Sequence, residues 1–75
     1  MNQKRRKAIA KVVDRLTEIQ DDLQNVLDEE QEAYDNTPES LYSSERYEES
    51  EEAINALEDA VSSIEDAVDY LTDWA

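Results

Sequence analysis

The sequence predicts an all-α protein: an antiparallel two-helix hairpin with heptad seams, completed as a homodimeric four-helix bundle. Three observations lead there. Glycine is absent and the single proline, Pro38, stands at mid-chain. On both sides of it the apolar residues recur in alternating steps of three and four, which places them on one stripe of an α-helix. Each stripe is also broader than one partner helix covers, so two helices alone leave apolar surface to bury.

Helix one is expected over about residues 3–35. Ile9, Val12, Leu16, Ile19, Leu23 and Val26 form its seam, and Val13, Leu27 and Tyr34 adjoin and widen it. Glu30 continues the stripe as a charge, so packing should loosen there.

The connection is expected over about 36–43. Asn36 tolerates the left-handed backbone that ends helices, and Thr37 before Pro38 suits the cap of a new turn, read as a single helical turn over 38–41. Ser43 or Ser44 then caps helix two, with Glu45 and Glu48 near its positive end. So short a link between helices of equal length, about 45 Å each at 1.5 Å per residue, favours an antiparallel return.

Helix two is expected over about 44–74, with Tyr47, Ser50, Ile54, Leu57, Val61, Ile64, Val68 and Leu71 as its seam. The heptads Glu51–Leu57, Glu58–Ile64 and Glu65–Leu71 share one template. Ala53, Ala60 and Ala67 recur every seven residues beside the seam, where a small side chain admits a close neighbour. Trp74 takes the next such place and is expected to close that end of the core.

A chain of 75 residues is one domain at most, and its core is too small to dispense with a staple. With no cysteine and no histidine, a disulfide is excluded and a metal is disfavoured, which leaves a partner subunit. The apolar stretch Ala8 to Val13 is broken by Lys11 and is too short for a membrane span, so the chain reads as soluble and cytoplasmic with no membrane partner.

Charge is strongly divided. Six of the seven basic residues fall between Lys4 and Arg15, and 20 of the 21 acidic residues follow Arg15. In a hairpin the basic start of helix one lies beside Glu65 to Asp73, where the two patches partly neutralise each other. That pairing accounts for Lys4-Arg5-Arg6-Lys7 better than direct nucleic-acid binding, which the remaining charge of a chain at −14 opposes.

Catalytic chemistry lacks its parts. There is no histidine or cysteine, no glycine for a phosphate-cradling loop, and no base beside any serine, so no enzyme, cofactor or metal site is expected. Carboxylates three or four residues apart, such as Glu45/Glu49 and Glu48/Glu52, repel each other by a few tenths of a kcal/mol per pair. A purely solvated face would intersperse lysine or arginine. High charge also keeps a small protein soluble, so the acidic surface has a plain structural reading beside the functional one.

The functional reading is mimicry. Carboxylates one helical turn apart are separated by roughly 5–6 Å, near the spacing of successive phosphates, and would occupy the cationic groove of a basic nucleic-acid-binding protein. The residues assigned to that contact are Glu32, Asp35, Glu45, Glu48, Glu49 and Glu52, with Tyr34 and Tyr42 as aromatic anchors.

The segment Asp28-Glu29-Glu30-Gln31-Glu32-Ala33-Tyr34-Asp35-Asn36-Thr37-Pro38-Glu39-Ser40-Leu41, followed by Ser44-Glu45-Arg46-Tyr47-Glu48, resembles small uncharacterised proteins of phages and mobile elements of Gram-positive bacteria. The resemblance covers the loop and parts of both helices. It implies a setting in which small acidic proteins inhibit host nucleic-acid enzymes, and it implies no mechanism. The expected function is therefore a non-enzymatic acidic interaction protein with a basic partner. The alternative is a structural helical module whose only interface is its own dimer.

Overall fold

A computed structural model describes residues 1–75. It is all-helical: α1 spans Gln3–Asp35, a 3₁₀ turn spans Glu39–Leu41, and α2 spans Glu45–Thr72. The two long helices pack against each other and form a rod of 59 × 14 × 13 Å.

Each helix starts on a side-chain cap. Asn2 Oδ1 accepts from the Arg5 backbone N–H at 2.9 Å, and Ser44 Oγ accepts from that of Tyr47 at 3.2 Å. Both satisfy a donor that the first turn otherwise leaves free, a contribution of about 1 kcal/mol. Glu45 and Glu48 in the first turn of α2 complement its positive end.

The end of α1 differs from expectation. Asn36 has φ −89° and ψ 2°, and no residue of the chain has positive φ. Thr37 replaces the left-handed cap: its hydroxyl donates to the Ala33 carbonyl at 3.0 Å and its N–H to that of Tyr34 at 3.2 Å. The threonine thus finishes the first helix rather than starting the next turn, and Pro38, extended at φ −60° and ψ 143°, precedes the 3₁₀ turn.

Two contacts fix the register. Ser50 Oγ donates to Glu30 Oε1 at 2.6 Å, and the rings of Tyr34 and Tyr47 stack with centroids 4.4 Å apart. Facing positions therefore have residue numbers adding to 80 or 81, which pairs Ile9 with Leu71, Val13 with Val68, Leu16 with Ile64, Leu23 with Leu57 and Leu27 with Ile54. Glu30 does not loosen the seam. It takes part in it through a charge-assisted hydrogen bond.

The seam of α2 runs through the expected residues, but that of α1 is displaced. Ile9, Leu16 and Leu23 face α2 together with Val13, Gln20, Leu27 and Tyr34, whereas Val12, Ile19 and Val26 remain 45, 45 and 49% exposed. Alternating steps of three and four run through either set, and only the position of the return helix selects one. At the open end Trp74 stays 50% exposed and closes no core. Burial is slight throughout: Leu27 and Ile54, facing each other, are the two residues left with less than a tenth of their surface accessible.

Candidate interaction surface

The loop end collects the features singled out in the sequence. Tyr47, on the first turns of α2, carries Tyr34 of α1 stacked at 4.4 Å and 13°, and Tyr42 of the connection stacked at 4.9 Å and 22°. Three rings from three successive segments thus close the seam where the chain reverses, an arrangement worth about 1 kcal/mol per pair beyond burial. The Tyr47 phenol is pushed up to about 12, first by the interaction of its hydroxyl with that of Tyr34, then by burial and by the nearby Tyr34, Glu51 and Asp35.

Of the two aromatic anchors assigned from sequence, Tyr34 is half-buried and has a ring face against Tyr47, while Tyr42 remains 48% exposed. Tyr42 is the better placed of the two to meet another molecule. Leu41 beside it is 51% exposed, and together with Pro38, Ala33, Arg46 and Glu49 it lines an open groove between the connection and the two helices.

All six assigned carboxylates are exposed, yet the hairpin does not bring them onto one patch. Glu32 lies on the outer side of α1, whereas Asp35 sits beside the seam, near enough to Tyr47 of α2 to act on its phenol. Glu45, Glu48, Glu49 and Glu52 follow one another at helical spacing along the exposed surface of α2 and form one continuous ladder over two turns, whose Glu45 and Glu49 edge the groove. Asp35 is also engaged, accepting from Gln31 Nε2 at 2.9 Å, just as Asp28 accepts from Gln24 Nε2 at 3.0 Å. Such glutamine-to-aspartate pairs one turn apart support the helix itself. The coherent anionic surface is therefore that of α2, where Arg46 is the only cation.

The sequence reading missed the side-chain bond between Glu30 and Ser50. Its signal was present, because both residues occupy seam positions that apolar side chains fill elsewhere. No group of three or more carboxylates is arranged to hold a metal ion. No helix is long and apolar enough to cross a membrane.

Fold and surface together define a class, the antiparallel helical hairpin with an acidic outer face. No family model matches the chain, and no curated protein or solved structure is detectably similar to it.

Proposed function

We propose that this chain is a non-enzymatic acidic interaction protein, dimeric as a four-helix bundle, whose carboxylates bind a basic nucleic-acid-binding protein in place of nucleic acid. The observation that carries the reading is the exposed ladder Glu45, Glu48, Glu49 and Glu52, which is self-repulsive and has one arginine for relief. A surface with that cost gains most from a cationic partner, which removes the repulsion and releases counterions on contact. The setting in a Gram-positive phage or mobile element rests on the resemblance of the loop segment.

A second reading, a structural module that binds only itself, draws on the exposed Val12, Ile19 and Val26. The two separate in a capture experiment from a Gram-positive lysate, run at low and high salt beside a variant with Glu45→Gln, Glu48→Gln, Glu49→Gln and Glu52→Gln. Mimicry predicts a basic protein that is released by high salt, displaced by duplex DNA and not captured by the variant. Equal capture by the variant would sink it, and self-association alone would leave the structural module.

A further inference from the structure

The two flanks of the hairpin differ in kind. On one, the register sets Thr17 beside Glu65, Gln24 beside Glu58 and Gln31 beside Glu51. On the other it sets Val12 beside Ala67, Ile19 beside Ala60 and Val26 beside Ala53, and the shared lining of one groove by Ala33, Arg46 and Ala53 places these positions on the same side. This second flank consists of a ridge of branched side chains on α1 and, parallel to it, a trough of alanines on α2.

We infer that a second copy covers this flank, with α1 of each chain against α2 of the other, the two-fold axis along the rod and both loops at one end. The inference rests on the dimer reading above and assigns its surface and orientation. Rotation about the long axis preserves height along the rod. Val12, Ile19 and Val26 of one copy therefore meet Ala67, Ala60 and Ala53 of the other at equal levels, and the reciprocal contacts follow by symmetry. Large side chains enter small-residue gaps in three successive layers, the condition for dense packing, and the same patch serves both copies. The other two-fold that joins these flanks, across the rod, sets α1 on α1 and α2 on α2, ridge against ridge and trough against trough.

Charge selects the same arrangement. Helix α1 has six basic and nine acidic side chains, a formal −3, and α2 has one basic and ten acidic, a formal −9. An axis across the rod lays the two −9 helices side by side. The axis along it separates them on the diagonal, sets each against a −3 helix, and brings Lys4 to Lys11 of each copy beside Glu65 to Asp73 of the other.

Exposed area is of the right size. The chain has 5890 Å² accessible, whereas a compact monomer of this mass exposes about 4,700 Å². The surplus, about 1,200 Å², exceeds the roughly 800 Å² that each partner contributes to a standard stable interface.

The chain has no cysteine, so single thiols report orientation directly. Ile19→Cys and Ala60→Cys proteins are oxidised separately and after co-refolding as an equal mixture, and the mass of the unsubstituted chain is measured by sedimentation equilibrium. The expected result is a dimer mass and, as the dominant product of the mixture, a disulfide joining position 19 of one chain to position 60 of the other, with little homodisulfide from either protein alone. Homodisulfide from Ile19→Cys alone would overturn this orientation while leaving a dimer, and equal yields of all products would overturn the assigned face. A monomer mass at micromolar concentration would overturn the dimer itself.

Discussion

The two flanks of the hairpin receive the same geometry and opposite chemistry. Positions beside the seam on either side are about equally placed for partial burial, yet one flank pairs glutamine and threonine with glutamate, and the other pairs valine and isoleucine with alanine. Folding of the hairpin alone does not require this difference, because its seam is complete without either flank. The comparison teaches that α1 has two apolar stripes sharing Ile9, Leu16 and Leu23, one of them used within the chain and the other left on the surface.

The largest effect is expected where both flanks depend on the seam between them. Leu27→Ala or Ile54→Ala empties the best-buried layer, at a cost of about 2–4 kcal/mol. For so small a core that is most of the stability, and circular dichroism melts should show the helical signal lost or the midpoint sharply lowered. Retention of the unsubstituted midpoint would mean that this seam is not what holds the helices together.

A smaller effect distinguishes the flanks. Val26→Ser and Gln24→Ser alter side chains that are both exposed and only two residues apart. On the polar flank the change should stay within about 0.5 kcal/mol, whereas on the apolar flank it should lower the melting midpoint by an amount that depends on protein concentration. Equal, concentration-independent shifts would erase the distinction.

The smallest effect appears only in alkali. Tyrosine in the unfolded chain titrates near 10.0 and Tyr47 in the fold near 12, so the unfolded state loses its proton first. The contribution of this group is complete below pH 10 and is lost as pH rises from 10 to 12. Tyr47→Phe should flatten that part of the stability profile relative to the unsubstituted protein, measured by denaturant titration. An unchanged slope would place the titrating group elsewhere.

Much of the fold was legible because helical period, caps and breakers agree. The stop after Asp35, the turn before Leu41 and the cap at Ser44 are local signals and appear where the sequence puts them. The phase of α1 was not legible. Valine stands beside valine at 12–13 and beside leucine at 26–27, and at 19–20 the pattern prefers isoleucine to the glutamine that actually faces α2. Which stripe turns inward is decided by a helix distant in sequence, through contacts such as Glu30 with Ser50. The acidic site was legible as composition but not as a patch, because a two-helix rod directs Glu32 and Glu52 to opposite sides.

The bond between Ser50 and Glu30 also guards against a slip. The heptads from Glu51 to Leu71 are so alike that α2 could slide along α1 by one repeat and still set Leu27 on Val61, Leu23 on Ile64 and Leu16 on Leu71. Such a displacement, about 10 Å along the axis, keeps those three oily contacts, although it carries Ile9 and Val13 past the end of α2. What it destroys is the match at the loop: Glu30 would come against Leu57, and Tyr34 would lose its ring partner. The repeat is a ruler with identical divisions, and these two pairs are the only numbered marks on it.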